Sequence, residues 1–342
     1  MIKKILNELN ISLRELLLLD FKYVLTLFLI VIICFLPMNY YVVIGGGIDD
    51  VGNRVQVNDG YKGKGSFNIS YVTQADGVLL TYLMSYIVPS WERESISDYK
   101  YNDKESEEDI IFRNTLSLKK ASNDAIYVAF KTANKEINIK ERHMYVLTKN
   151  NDYEECNLKV GDEILKIDNQ DIYTFNYIEY INSLNENDYV EVLVNRDNKE
   201  QTIKTKIYKD KDRLLIGVYL QELREYTTNP KVKIKFKSKE SGPSGGLITT
   251  LSIYNQLVSE DITKGLTIAG TGTIDSEGNI GEIGGVEYKV LGAVKGKADV
   301  FLVPHDNYKE VMKVVNKKKL KIKVIEVNTF EETLKKLNEL KK

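Results

Sequence analysis

The sequence predicts an α/β domain at the C-terminal end of the chain, a mainly-β domain before it, and one transmembrane helix near the N-terminus. Strand-like and helix-like segments alternate from about Leu214 onward, which is typical of an α/β domain. Between residues 121 and 211, short strand-like segments are separated by turns, which indicates a mainly-β domain. A stretch without charged residues runs from Tyr23 to Ile48 and begins with a long aliphatic segment, which is typical of a membrane span.

The 342 residues are long enough for two domains and an anchor. We divide them into a cytoplasmic N-terminus (1–20), a transmembrane anchor (21–39), an extracytoplasmic segment (40–120), the mainly-β domain (121–211) and the α/β domain (212–342). The pattern of segment 40–120 does not predict a fold.

The span at 21–39 is predicted from its length and its flanks. A transmembrane helix needs about 20 apolar residues, and Tyr40 and Tyr41 follow where aromatic side chains favour the membrane interface. After the span, Arg54 is the single basic residue before Tyr61, whereas four basic residues precede or enter it: Lys3, Lys4, Arg14 and Lys22. This asymmetry predicts a cytoplasmic N-terminus and an extracytoplasmic remainder. A cleaved signal peptide is the competing interpretation.

The composition argues against several classes of protein. The net charge of −1 provides no basic field, so nucleic acid is not an expected partner. The two cysteines, Cys34 and Cys156, lie far apart in the sequence and exclude a disulfide framework. The two histidines, His143 and His305, are equally dispersed, so no metal site is predicted and no cofactor is expected.

The mainly-β domain is predicted from the order strand, strand, helix, strand, strand. We expect strands at 144–147, 163–167, 189–195 and 202–208, and a helix with an apolar stripe at 174–184. The run Asn195-Arg-Asp-Asn198 is typical of a hairpin turn. This order describes a small, partly open β-barrel.

Within this barrel, the run Leu158-Lys-Val-Gly-Asp-Glu-Ile-Leu-Lys-Ile-Asp-Asn-Gln-Asp-Ile172 resembles the Gly-Asp-x-Ile core of bacterial PDZ domains. PDZ domains bind extended peptides at a sheet edge, and the loop before the first peptide-facing strand supplies N–H groups for a terminal carboxylate. The resemblance implies this role for loop 140–145, with four peptide-binding candidates: Arg142, His143, Met144 and Tyr145. The alternative is a rigid spacer that binds no peptide.

Ser244 lies in the motif Ser241-Gly-Pro-Ser-Gly-Gly246, between a predicted strand at 231–237 and an apolar helical segment at 247–257. A hydroxyl at the start of a helix lies beside unpaired backbone N–H groups, which can stabilise an oxyanion. The flanking glycines let a substrate backbone approach closely. The same motif also fits a turn followed by an N-cap serine without a catalytic role.

Lys289 lies in the run Gly278-Asn-Ile-Gly-Glu-Ile-Gly-Gly-Val-Glu-Tyr-Lys-Val-Leu-Gly-Ala293, on one helix face with Val286, Val290 and Ala293. An amine among apolar groups loses hydration, which disfavours its charged form and lowers its pKa. Such a lysine can accept a proton from a nucleophile. The alternative is a lysine whose amine extends from the helix edge into solvent.

Together, Gly-Pro-Ser-Gly-Gly and a Gly-Gly-x-x-x-Lys whose lysine follows Ser244 by 45 residues closely resemble the catalytic domain of Lon proteases, which use a Ser-Lys dyad. Thr271-Gly272 and Val303-Pro-His-Asp-Asn307 are similar to further motifs of that family. The resemblance implies that Ser244 is the nucleophile, Lys289 its general base and Thr271 the residue that orients the lysine amine.

The resemblance further implies that the backbone N–H of Ser244 helps to hold the oxyanion. The other oxyanion and positioning candidates are Gly242, Pro243 and Gly245. Ser241 departs from the family, because many Lon sequences have an acidic residue at this position.

No Gly-x-x-x-x-Gly-Lys-Ser/Thr phosphate loop occurs in the sequence, so ATP is not an expected partner. The order anchor, PDZ, Lon domain, together with Gly65-Ser-Phe-Asn-Ile-Ser-Tyr-Val72, resembles the ATP-independent Lon-like proteases of Gram-positive-type bacteria, the YlbL and SepM group. This resemblance implies a single-pass enzyme of the cell membrane that cleaves extracytoplasmic peptides or flexible protein segments. It leaves homo-oligomers open.

Two other functions remain as alternatives. The first is a non-catalytic peptide-binding scaffold in which the Lon-like domain has only an architectural role. The second is a Ser-His hydrolase that uses His305.

Overall fold

The computed structural model describes residues 21–88, 90–150 and 152–340. The predicted cytoplasmic N-terminus at 1–20 therefore lies outside the described residues. The contacts divide the chain into a small unit, which combines the residues up to Ile44 with Thr73–Asp98, and a large unit, which combines Gly45–Val72 with the residues from Tyr99 onward.

Helices and strands follow one another along the described chain. The first half contains α1 (Phe21–Cys34), β1 (Pro37–Asp50), β2 (Val55–Val57), β3 (Ser66–Val78), α2 (Leu79–Ile87), β4 (Trp91–Ser95), α3 (Glu107–Thr132), β5 (Glu136–Lys149), β6 (Glu163–Ile167), β7 (Gln170–Asp171) and α4 (Tyr177–Asn182). The second half contains β8 (Tyr189–Arg196), β9 (Lys199–Lys206), β10 (Tyr208–Asp210), β11 (Arg213–Leu215), β12 (Val218–Asn229), β13 (Val232–Ile234), α5 (Gly246–Leu257), β14 (Thr267–Gly270), α6 (Val286–Lys295), β15 (Val300–Pro304), α7 (His305–Lys318), β16 (Lys323–Val327) and α8 (Phe330–Asn338).

The small unit contains α1, α2, β4, residues 37–44 of β1 and residues 73–78 of β3, and residues 40–44 pair with β4 in antiparallel fashion. Helix α1 has 14 residues, and within the described part of the chain no helix is long and apolar enough to cross a membrane. The prediction of one helix through residue 39 is wrong at its C-terminal end, because Pro37 begins a strand. Proline lacks an N–H group and disfavours helical geometry in the residue before it, so α1 ends ahead of Pro37.

The α/β part of the large unit is built on the strand order β16-β15-β14-β3-β1. Strands β3, β14, β15 and β16 are parallel, and helices α6 and α7 provide the crossover connections between β14, β15 and β16. All five residues of β15 are buried, as expected for a parallel strand that is covered on both faces. The predicted α/β organisation of this part is confirmed.

Two apolar cores lie on the two faces of this sheet. Successive residues of β15 alternate between them, with Leu302 in the first core and Phe301 in the second. Helices α3, α5 and α8 supply much of the first core, and α6 and α7 supply much of the second. The first core includes Phe130, Leu247, Leu251 and Phe330, and the second includes Val286, Val290, Val303 and Val311.

Segment 40–120, for which the sequence predicts no fold, contributes to this same domain. Strand β3 lies between β14 and β1 in the sheet, and α3 crosses the predicted domain boundary between residues 120 and 121. The sequence signal for α3 is a capping box. Ser106 Oγ accepts a hydrogen bond from Asp109 N, and Asp109 Oδ2 accepts one from Ser106 N, both at 3.1 Å.

The mainly-β domain has the predicted order of two strands, a helix and two strands, in β5, β6, α4, β8 and β9. The predicted hairpin turn is also present, because Asp197 and Asn198 adopt φ angles of 53° and 59° between the paired residues Arg196 and Lys199. Two strands of this sheet were not predicted, the short β7, which pairs with β6, and the long β12. Strand β12, within the segment assigned to the α/β domain, pairs along β5, so the sheet order is β12-β5-β6-β8-β9.

Candidate active site

The loop that carries Ser244 enters helix α5, whose first residue is Gly246. Gly242 has a φ of +81°, a left-handed conformation that favours glycine, and its N–H donates a hydrogen bond to the Asn114 carbonyl at 3.1 Å. Gly242 therefore positions the loop, and its N–H group is not free for an oxyanion. Pro243 has no N–H group to offer.

The backbone of Ser244 is attached to the end of strand β14. Its carbonyl accepts hydrogen bonds from Gly272 N at 2.8 Å and from Thr271 Oγ1 at 3.1 Å, while Leu247 N donates to the Gly272 carbonyl at 3.1 Å. In the described residues, the N–H groups of Ser244 and Gly245 have no hydrogen-bond acceptor. These two donors lie at the start of α5, where a substrate oxyanion could accept from them.

Lys289 lies in the middle of helix α6 and is 4% exposed. Desolvation by burial lowers the pKa of its amine from 10.5 to about 8. Its Nζ donates a hydrogen bond to Thr271 Oγ1 at 3.3 Å. The structure thus brings Lys289, Thr271 and the Ser244 carbonyl into one hydrogen-bonded chain, whereas no hydrogen bond joins Lys289 Nζ directly to Ser244 Oγ among the described contacts.

Three hydrogen bonds position helix α6, which begins after Gly285 at a φ of +65°. Two of them come from Asn307 and hold the turn before the helix. Asn307 Nδ2 donates to the Ile283 carbonyl at 3.0 Å, and Asn307 Oδ1 accepts from Ile283 N at 2.9 Å. The fully buried Ser70 donates from Oγ to the Lys289 carbonyl at 2.5 Å. Sequence reasoning missed Ser70, although it lies in the quoted run 65–72.

A cavity of about 80 Å³ lies beside Ser244. Its walls are mainly apolar and include Val51, Val55, Ile69, Leu118, Ile234 and Phe236. An apolar lining of this kind suits an aliphatic side chain of a substrate.

An ion pair lines the same cavity next to the Ser244 loop. Arg54 Nη1 donates to Glu240 Oε2 at 2.5 Å, and Arg54 Nε lies 3.1 Å from Asp49 Oδ2. Glu240 directly precedes Ser241, the position at which many Lon sequences have an acidic residue. In this chain the carboxylate is that of Glu240, one residue before Ser241, and it attaches the Ser244 loop to Arg54.

The four peptide-binding candidates of the mainly-β domain do not form a loop. Arg142, His143, Met144 and Tyr145 lie within strand β5, where they pair with Arg224, Leu223, Glu222 and Gln221 of β12. Residues 142–145 of β5 pair with β12 on one side, and on the other side Tyr145 pairs with Glu163 of β6. The prediction that residues 140–145 form a loop is therefore wrong, whereas the peptide-binding role of the four residues stays a prediction.

His305 does not take part in the site. Its Nδ1 contacts the Glu326 carboxylate, and its side chain is 57% exposed. No contact in the described part of the chain joins it to Ser244. Across the same residues, no group of three or more histidine, cysteine, aspartate and glutamate side chains is placed to hold a metal ion.

Comparison with known proteins relates the C-terminal part of the chain to the Lon proteases. Residues 235–339 match the family model of the Lon protease (S16) C-terminal proteolytic domain. The chain is 30% identical over 97 residues to the Lon protease of Neorickettsia sennetsu, and 32% identical over 96 residues to that of Azospirillum brasilense. Each match covers 28% of this chain, which spans 12% of each relative's length. Residues 235–339 are therefore similar to the proteolytic domain of Lon proteases.

Solved structures of PDZ domains are similar to about a quarter of the chain. They come from the SdrC-like proteins of Listeria monocytogenes and Listeria innocua. The first is 24% identical with a TM-score of 0.22 and covers 24% of this chain and 92% of its own. The second is 28% identical with a TM-score of 0.21 and covers 23% of this chain and 92% of its own.

The hydrogen bonds that join Lys289 to the Ser244 carbonyl through Thr271 can be tested by substitution. Thr271→Val keeps the side-chain shape but removes the hydrogen bonds to Lys289 and to the Ser244 carbonyl, so both groups lose part of their positioning. We expect kcat for a peptide substrate to fall by about 10- to 100-fold. Thr271→Ser, which keeps the hydroxyl, should retain most of the activity. A Thr271→Val variant with the wild-type kcat would exclude an orienting role.

Proposed function

We propose that this protein is an ATP-independent serine endopeptidase in which Ser244 and Lys289 form the catalytic dyad. The observation that carries the proposal is the burial of Lys289 in the part of the chain that matches the Lon family. Its amine is hydrogen-bonded to Thr271, which also donates a hydrogen bond to the Ser244 carbonyl. A lysine with a pKa of about 8 is largely protonated at pH 7, but a useful fraction is neutral. A neutral amine is what a general base requires.

In the proposed reaction, Ser244 Oγ attacks the scissile carbonyl and its proton passes to Lys289 Nζ. The resulting oxyanion accepts hydrogen bonds from the N–H groups of Ser244 and Gly245. Lys289 then protonates the leaving amine, which breaks the peptide bond and leaves an ester on Ser244. Water, deprotonated by Lys289, hydrolyses this ester and restores the enzyme. Ser244 Oγ must reach Lys289 Nζ in the substrate complex, where catalytic hydrogen bonds commonly shorten.

The proposed substrates are peptides or flexible protein segments. The sequence contains no phosphate loop that would supply energy for unfolding. The small apolar cavity beside Ser244 favours substrates that have an aliphatic side chain next to the scissile bond.

Peptide selection by the mainly-β domain is proposed at strand β12 in place of loop 140–145. In the described residues β12 pairs with β5 alone, so it is an edge strand of its sheet. The opposite edge strand, β9, carries three lysines, Lys199, Lys204 and Lys206, and lysine on an edge strand opposes pairing with another strand. Strand β12 is the edge that better fits an added peptide strand.

An NMR titration tests this assignment. We expect a substrate peptide to shift backbone amide signals of β12 residues, including the 65% exposed Tyr219, because an added strand hydrogen-bonds to the edge backbone. Signals of β9 should move little. Shifts confined to β9, or to residues 142–145, would contradict the assignment.

We further propose that the N-terminal region anchors the enzyme in the cell membrane with its catalytic part outside the cytoplasm. Helix α1 supports this, because it carries no charged residue after Lys22 and exposes large apolar side chains on every face. The exposed side chains include Leu27 at 63% and Phe28 at 60%.

The proposed activity is tested with the full chain in detergent, an unfolded protein substrate and no nucleotide. We expect cleavage at internal peptide bonds at the same rate with and without ATP, and little cleavage of the same substrate when it is folded. Cleavage that depends on ATP would contradict the energy-independent mechanism. The absence of any cleavage between pH 6 and 9 would favour the non-catalytic scaffold.

A further inference from the structure

We propose that helix α2 is a second membrane contact, which lies on the lipid surface beside the anchor. This inference rests on the proposed membrane anchor. Helix α2 has nine residues, none of them charged and none of them buried. The apolar side chains of α2 that stay exposed are left to be covered by something other than the small unit itself.

The exposed side chains of α2 form one stripe. Leu80, Leu83, Tyr86 and Ile87 are 40%, 51%, 64% and 72% exposed, and their spacing of three, three and one residues places them on one face. Thr81 and Ser85 lie on the other side of the helix, and their hydroxyl groups donate hydrogen bonds to the Val78 and Tyr82 carbonyls. The helix thus has an apolar face opposite a face that carries the Thr81 and Ser85 hydroxyl groups.

The position of α2 in the small unit indicates that lipid covers its exposed stripe. Leu79 N, at the start of α2, donates a hydrogen bond to the Leu36 carbonyl, two residues after the end of α1, at 3.1 Å. Helix α1 exposes large apolar side chains on every face, which a surrounding apolar medium can cover and a single partner surface cannot. Because α2 begins where α1 ends, the medium that covers α1 also reaches the stripe of α2.

Aromatic and basic groups beside the stripe are also typical of a surface that contacts lipid. Tyr86 Oη donates to Tyr82 Oη at 2.9 Å, and the Arg93 guanidinium lies 4.1 Å from the Tyr86 ring centroid and 5.1 Å from that of Tyr82. Tyrosine rings favour the headgroup region, and the Arg93 guanidinium that lies over them is a cation of the kind that attracts lipid phosphates. Both chemistries occur together at the border between hydrocarbon and water.

The test uses tryptophan emission from the full chain in vesicles of phosphatidylcholine and phosphatidylglycerol with brominated acyl chains. Trp91 is the single tryptophan, so Trp91→Phe provides a silent background. In this background we expect Leu83→Trp to lose about half of its emission relative to unbrominated vesicles, because an interfacial helix buries its apolar face by about 5 to 10 Å. Ser85→Trp, on the other face of the same helix, should be quenched less.

A third variant separates this inference from the anchor. Phe28→Trp in α1 should be quenched if α1 is embedded in lipid. Quenching of Phe28→Trp without stronger quenching of Leu83→Trp than of Ser85→Trp would overturn the role of α2 and leave the anchor standing. An unquenched Phe28→Trp would overturn the anchor. A disulfide-linked dimer through Leu83→Cys, together with unquenched Leu83→Trp, would assign the face to a second copy and overturn the inference.

Discussion

Ser244→Ala should abolish peptide cleavage, with kcat reduced by roughly 10⁴-fold or more, as for other serine hydrolases that lose the nucleophile. The alanine side chain cannot form the ester on which the proposed mechanism depends. The fold should be unaffected, because the Ser244 backbone keeps its contacts with Gly272 and Thr271, and the described contacts of Ser244 involve no side-chain hydrogen bond. We expect the free energy of unfolding to change by less than about 0.5 kcal/mol.

Ser259 provides the matched control. It is an exposed serine two residues beyond the C-terminal end of α5, whereas Ser244 lies two residues before its start. Ser259→Ala should keep wild-type kcat and KM in the same assay. If Ser244→Ala cleaved as fast as Ser259→Ala, the nucleophile would have to be another residue.

Lys289→Met should also abolish cleavage, since no other amine contacts Thr271 or Ser244 in the described part of the chain. For the wild type, kcat/KM should rise with pH and level off above about 8, the pKa of the Lys289 amine. Lys295→Met changes an exposed lysine at the end of the same helix and should leave both the rate and the pH profile unchanged. A Lys289→Met variant that keeps the wild-type pH profile would contradict the role of a general base.

The same substitution should stabilise the fold at neutral pH. The folded state lowers the pKa of Lys289 from 10.5 to about 8, so the buried charge costs stability. Below pH 8 the amine is charged in both states, and this cost, about 3 kcal/mol, is present in full. Between about pH 8 and 10.5 the folded protein has released the proton while the unfolded chain keeps it, so wild-type stability rises. The gain from Lys289→Met, measured by denaturant unfolding, should therefore be largest near pH 7 and shrink toward pH 10.

Local signals predicted the parts of the site that lie near the two motifs. The glycines around Ser244 and before Lys289 define a loop and a helix start, which depend on nearby residues. The apolar face of α6 predicted the burial of Lys289 because helical periodicity is a local property. The placement of Thr271 between Ser244 and Lys289 came from the family resemblance, and the structure shows the two hydrogen bonds that Thr271 forms.

The parts that were missed depend on pairing between distant segments. Ser70 reaches the Lys289 carbonyl only because β3 pairs with β14 across about 200 residues of chain, and no local pattern specifies this neighbour. The same applies to β12, which pairs with β5 over a separation of about 80 residues. Loop 140–145 was assigned by position along the chain, whereas the strand order decides which strand lies at the edge.

The scaffold alternative makes a different prediction for the buried amine. A lysine without a catalytic role still has a lowered pKa, because burial alone is sufficient. Its titration would then change stability with pH but would not change the reactivity of Ser244. The reactivity of the Ser244 hydroxyl therefore separates the two functions more directly than the pKa of Lys289 does.

The most direct test is labelling with a fluorophosphonate, which reacts with activated serine hydroxyls, followed by mass spectrometry of the modified peptide. The proposed dyad predicts one modified residue, Ser244, a labelling rate that rises as pH increases through about 8, and loss of labelling in Lys289→Met. Labelling of Ser244 at the same rate in Lys289→Met, or labelling of a different residue in the wild type, would contradict the Ser244–Lys289 dyad.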